Sequence, residues 1–228
     1  MAIAYVTTLE GGQKAIVAGV DGLAHLFFDR QPDTALIDSI VTSGSFVIPT
    51  LVALSSAFGN NAAWLAADKR VSSRLSRKWL GSLSRSMNVF PQGDLKDVYA
   101  GVMALHKAGV DLLVDSDVSE PIPILGGLAH GVSLHHELKL LVAAGLEPIE
   151  ALCAATSTPA RRFGLSDRGR IVPGARAKFR HYQQNFAACV RNILSNWCLN
   201  QIIGLSFALS MNNLKQKQNN DDLDRIAR

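Results

Sequence analysis

An α/β fold built on a parallel sheet is what this sequence predicts, and three observations carry the prediction. Short apolar, β-branched runs alternate with helix-like stretches at intervals of about twenty residues over the first 130 positions, the pattern of repeated βαβ units. Aromatic residues make up only 7% of the chain, while Ala, Leu, Val and Gly are plentiful. Glycines also close the helix-like stretches, at Gly19, Gly44 and Gly109, as expected of helix C-termini. At 228 residues, 48% hydrophobic and 18% charged, the chain has the material for one large domain or a domain and a half.

The elements follow in order. AIAYVTT (2–8) is β-rich and leads into the helix-like LEGGQKAIVAG. DGLAHLFF (21–28) reads as a second strand, and PDTALIDSIVTSG as an amphipathic helix. SFVIPTLVAL (45–54) is a third strand by its β-branched, apolar character. Residues 55–93 form a long insertion, expected to be helical and to carry a basic cluster. DLKDVYAGVMALHKAG (94–109) has helical period, and VDLLVDSD (110–117) is a buried-strand pattern that ends in charge. Two helices follow, VSLHHELKLLVAAG (132–145) and EPIEALCAATSTPARRFG (147–164), the second with Pro148 in its first turn and Gly164 at its end. DRGRIVPGARA (167–177) is turn-rich and predicts an edge strand after it. Beyond Lys178 the character changes: an apolar stretch without strand alternation precedes a polar tail, NNLKQKQNNDDLDRIAR, expected to be disordered.

Composition excludes several classes. The net charge of +4 is only mildly basic, and its local source is Lys69, Arg70, Arg74, Arg77, Lys78 and Arg85. No aromatic ladder accompanies them, so a solvated helix face is expected and nucleic acid is not an expected partner. Cys153, Cys189 and Cys198 are odd in number and lack CxxC spacing, which predicts reduced, packed thiols. MAIAYVTTLE lacks the basic flank and apolar length of a signal peptide, and Arg191, Asn192, Asn196, Asn200 and Gln201 interrupt the segment from Phe186 to Met211. That falls short of the roughly 18 apolar residues a span needs. A soluble, cytoplasmic protein with no membrane partner is expected.

Reactive groups in parallel α/β folds gather at the C-terminal ends of strands. The region of Tyr5, His25, and Asp115 with Asp117 occupy such positions. A carboxylate and a neutral imidazole on separate strand ends can share a zinc-like ion, and the carboxylate can also take a proton from bound water. His130, in the loop after the Asp strand, is a candidate substrate contact. Adjacent on a helix, His135 and His136 point to different faces and with Glu137 are expected to be solvated. His106 reads as surface or packing. Ser116 lacks the Gly-x-Ser-x-Gly elbow of serine hydrolases.

GVDGLAHLFFD, SFVIPTL, AGVDLLVDSDVS and HGVSLHHELKLLVAAGLEPIEALCAATSTPARRFGLSDRGRIVPGARA together resemble the amidohydrolase superfamily, in its imidazolonepropionase- and prolidase-like branch. The resemblance covers residues 2 to 177 and implies the C-terminal half of a TIM-like (β/α)8 metal-dependent hydrolase barrel. It sets His25 at the sixth-strand histidine of the family, a metal ligand. It sets Asp117 at the eighth-strand Asp, which binds metal and activates the hydrolytic water. Asp115 falls where the family has Gly, and Tyr5 where it has the fifth-strand histidine. The first-strand HxH pair and the fourth-strand Lys have no counterpart, and after GARA the segment 178–228 departs from the pattern.

The resemblance implies a hydrolase of a C–N bond, with zinc as cofactor and a small amide or dipeptide-like substrate. Set against this is a catalytically inactive fragment that acts at most as an interaction module. Half a barrel leaves two strand edges open, which predicts cover by segment 178–228 or self-association with a second copy.

Overall fold

The computed structural model describes residues 1–176; the expectations for segment 178–228 lie outside the described residues. Three strands, β1 (Ile3–Tyr5), β2 (Gly22–Ala24) and β3 (Phe46–Ile48), form a parallel sheet in chain order, with Ile3 opposite Gly22 and Gly22 opposite Phe46. Helices α1 (Leu9–Val17) and α2 (Thr34–Ser43) make the crossovers. Each starts where a side chain satisfies an orphan amide: Thr8 accepts from Gly11, and Asp33 from Leu36. Gly44, at φ 66°, ends α2 in the left-handed turn its sequence predicted.

The expected strand 45–54 is shorter than its composition implied. Pairing stops at Ile48, because Pro49 has no amide to offer and Thr50 turns left-handed, at φ 49° and ψ 52°. Helix α3 (Leu51–Ala57) begins at once. The insertion continues through α4 (Ala63–Ala67), α5 (Lys69–Ser72) and α6 (Arg77–Leu83), short helices around a small core of Leu65, Val71, Leu83 and Val132.

After α7 (Leu95–Lys107), the fourth expected strand survives as one parallel bridge between Leu112 and Val47. The Val47 amide donates to the Asp111 carbonyl (3.0 Å) and the Leu113 amide to the Val47 carbonyl (2.9 Å). Pairing extends no further because the Val114 amide turns away to the carbonyl of Ala154 (3.0 Å). Helix α8 (Val132–Ala144) matches its predicted span. The last predicted helix is divided at Thr156 into α9 (Pro148–Ala155) and α10 (Ser157–Arg162).

The sheet has two unlike faces. Leu23, Val47, Leu112 and Val114 face the helices and join a core with Leu9, Ile40, Val102, Leu105, Leu138 and Leu141. The other face buries Phe46, Ile48 and Leu113. On edge strand β1, in register with that face, Ile3 is 41% exposed and Tyr5 69%. Four parallel segments with helices on one side form the half-barrel the sequence predicted. Among the described residues no helix is long and apolar enough to cross a membrane.

Candidate active site

His25 follows β2 directly. Its amide donates to the Ile48 carbonyl (2.8 Å), which ties it to the end of β3, and the residue then turns to φ 73°. A non-glycine residue at positive φ is uncommon and needs other contacts to hold it. Four non-glycine residues have positive φ among the described residues: His25, Thr50, Asn88 and Asp117. Three of the four meet at this one place, the clustering expected where backbone strain serves a site.

The imidazole is buried. Its Nδ1 is hydrogen-bonded to Thr50 Oγ1, and its Nε2 lies 3.8 Å from Asp117 Oδ2, beyond hydrogen-bond reach. The Tyr5 ring meets it edge-on at 4.2 Å. Thr50 donates its own hydroxyl proton to the Pro49 carbonyl (2.8 Å). Glu137, which the sequence reading left in solvent, is instead fully buried. Its Oε1 accepts from the Leu51 amide (2.8 Å) and its Oε2 from the Val52 amide (2.7 Å). The first turn of α3 supplies orphan amides, and a carboxyl group from α8 satisfies two of them.

Electrostatics follow burial. Desolvation lowers the His25 pKa to about 4, so the ring is neutral at pH 7. Desolvation, reinforced by the nearby Asp115 charge, raises Asp117 to about 6. Asp115 is itself raised by burial, against the pull of the Ser116 and Asp117 amides. Burial pushes Glu137 up to about 8 despite its two amides.

The structure brings His25 and Asp117 together, as their strand-end positions predicted. Zinc bonds to nitrogen and oxygen of about 2.0–2.2 Å each span such a separation, so both donors can reach one ion. No group of three or more His, Cys, Asp or Glu close enough to hold a metal occurs among the described residues. The donor set therefore fits a zinc ion in kind and falls short of it in number. His130 is exposed and sits edge-on to Trp79 of α6 (4.6 Å), which ties it to the insertion.

One expectation is corrected. His135 is buried and His136 half-buried, its ring perpendicular to Trp64 at 5.2 Å, so the His135-His136-Glu137 stretch is not solvated. The helix packs on both α7 and α3, and Trp64 of α4 shields part of His136. His106 does lie partly at the surface, where its Nε2 is 3.2 Å from Glu150 Oε1. The sequence reading missed Thr50 and Glu137. The Pro-Thr pair that ends a strand was the available signal for Thr50; none pointed to Glu137, which lies 86 residues from its partner Leu51.

No protein-family model matches the chain. Over 52 residues it is 50% identical to an adenine deaminase of Methanoregula boonei, covering 23% of this chain and 9% of that protein. Over 76 residues it is 42% identical to an imidazolonepropionase of Cereibacter sphaeroides, covering 33% of this chain and 18% of that protein. The chain thus spans less than a fifth of the length of either relative. Among solved structures, a Xaa-Pro dipeptidase with bound methionine aligns with 76% of this chain and 36% of its own, at a TM-score of 0.50 and 22% identity. That likeness is one of fold.

Proposed function

We propose that this chain, an amidohydrolase-superfamily sequence in half-barrel form, is the C-terminal part of a metal-dependent hydrolase that cleaves a C–N bond in a small amide or dipeptide-like substrate. The observation that carries the reading is the His25–Asp117 pair: a buried neutral imidazole whose Nε2 faces a carboxylate across 3.8 Å. His25 and Asp117 are the residues that would hold a zinc ion, and the chemistry such an ion would supply is polarisation of a water molecule. His25 would do so through Nε2, since its Nδ1 is taken by Thr50. Asp117 would take a proton from the attacking water and pass it to the leaving nitrogen. His130 contacts the substrate from the insertion side. The barrel-like sequence spans 1–177, and the sequence of 178–228 diverges from that pattern.

The relatives support the chemical class: one is a deaminase of adenine, one an imidazolonepropionase, and the fold relative a dipeptidase. The donor count sets the strength. A catalytic zinc has three protein ligands, and His25 and Asp117 supply two. This chain by itself is therefore expected to hold zinc weakly and to turn over slowly. The same count favours a second reading, an inactive remnant that serves as an interaction module.

Elemental analysis of the purified chain separates the two. Bound zinc at up to one ion per chain, lost in Asp117→Ala and in His25→Ala, supports the hydrolase and sinks the remnant. Zinc at background level in the unaltered chain, with no hydrolysis of dipeptides or cyclic amides when zinc is added, refutes the hydrolase.

A further inference from the structure

The geometry points to Glu137 as a positioning residue that fixes the tautomer of His25, acting through the first turn of α3 and the hydroxyl of Thr50. It deepens the reading of His25 as a zinc ligand and rests on that reading for its catalytic meaning.

A neutral imidazole has one ring nitrogen with a proton and one with a free lone pair, and only the free one binds a metal. Which is free depends on the partner of the other. Here the partner of Nδ1 is Thr50 Oγ1. A hydroxyl has a single proton, and Thr50 gives it to the carbonyl of Pro49 (2.8 Å). The oxygen therefore meets His25 as an acceptor. Nδ1 carries the hydrogen, and Nε2 presents its lone pair on the side where Asp117 lies.

This arrangement needs Thr50 to stay where it is. The residue is β-branched and left-handed, a conformation such residues avoid unless their surroundings over-determine it. On one side it is joined to Pro49, which has no amide proton to anchor it. On the other side Glu137 takes the amides of Leu51 and Val52, one on each carboxyl oxygen, at 2.8 and 2.7 Å. Glu137 is 0% exposed and comes from α8, an element separate from both β2 and β3. Its grip immediately after Thr50 is thus a long-range clamp on a strained residue. With the clamp loosened, Thr50 relaxes towards ordinary backbone angles, its hydroxyl turns free, and the His25 ring samples both tautomers.

The test is long-range 1H–15N correlation of the histidine rings in the full-length chain, freed of metal by a chelator. The His25 signals are identified by their loss in His25→Gln. In the unaltered chain, Nδ1 is expected as the protonated nitrogen and Nε2 as the bare one. Thr50→Val, which removes the acceptor, is expected to move His25 towards the Nε2–H tautomer. Glu137→Gln is expected to move it in the same direction and less far, since the amide oxygen still accepts one of the two bonds. Glu137→Asp, which keeps the acid and withdraws it by one methylene, gives the same readout if the Gln variant does not fold. A His25 signal that shifts in Thr50→Val and stays put in both Glu137 variants overturns the assignment, and so does an unaltered chain with Nε2 protonated. If the tautomers behave as described and the chain takes up no zinc, the positioning role of Glu137 stands and the metal reading falls.

Discussion

Replacing Glu137 by Gln should remove a large part of the pH dependence of stability. Burial holds this carboxyl at about 8, against an ordinary 4.5. Between those values the unfolded chain has released the proton and the folded chain still keeps it. Stability therefore falls as pH rises through the window, and the loss is complete only above the folded value. At about 1.4 kcal/mol for each unit of pH, the folded protein loses roughly 3–4 kcal/mol between pH 5 and pH 8 on this account. Glutamine is close in shape to the protonated acid and does not titrate. It does turn an NH2 group towards the Leu51 or Val52 amide, which leaves one buried bond unmade at about 1–3 kcal/mol. The unaltered chain should thus be the more stable at pH 5, and the two stability curves should cross before pH 8. His25 and His136, both lowered to about 4 by burial, act in the opposite sense, costing stability as pH falls below 6.5. Both proteins share that contribution, so it cancels in the difference. Urea unfolding followed by circular dichroism at pH 5, 6, 7 and 8 supplies both curves. Parallel curves would refute the reasoning, because they would mean that Glu137 is ionised when folded.

Two further outcomes are expected. Gly22→Ala should destabilise the chain by about 1–3 kcal/mol, read from urea midpoints, because a methyl there overlaps the buried ring of Phe46; an unchanged midpoint would mean that the sheet yields at β2. If two half-barrels associate by their edges, sedimentation of the full chain should show twice the chain mass, and Ile3→Pro should weaken the pairing. The Val6 amide and the Ala2 carbonyl bond to the β2 side, at 3.0 and 2.8 Å, so the amide of Ile3 points away from the sheet and its loss spares the internal ladder; a monomer, or a dimer indifferent to the substitution, rules out the edge.

Much of the architecture is written in local pattern. The helix over 95–107 is set by its apolar period and by Asp94, which accepts from Lys96, and the stop at Gly109 by its positive φ. The strand that opens at Phe46 was read correctly and its end was not. Val52, Ala53 and Leu54 suit a buried strand as well as a buried helix, and a short apolar run carries no period that separates them. What decided the matter was the carboxyl group of Glu137 on the amides of Leu51 and Val52. VDLLVDSD likewise has a strand's composition and keeps one bridge, because the Val114 amide goes to α9.

The candidate site divides in the same way. The sequence placed His25 and Asp117 at the ends of the second and fourth segments of a parallel sheet, since strand length and connection length fix which residues reach its C-terminal edge. It also determined the resemblance that gives those two positions a meaning. That they face each other at 3.8 Å, that His25 is buried enough to stay neutral, and that its Nδ1 is taken by Thr50 are outcomes of packing between distant segments. Burial and hydrogen-bond partnership depend on which distant segments close over a residue. The 86 residues between Leu51 and Glu137 put that information beyond any local window.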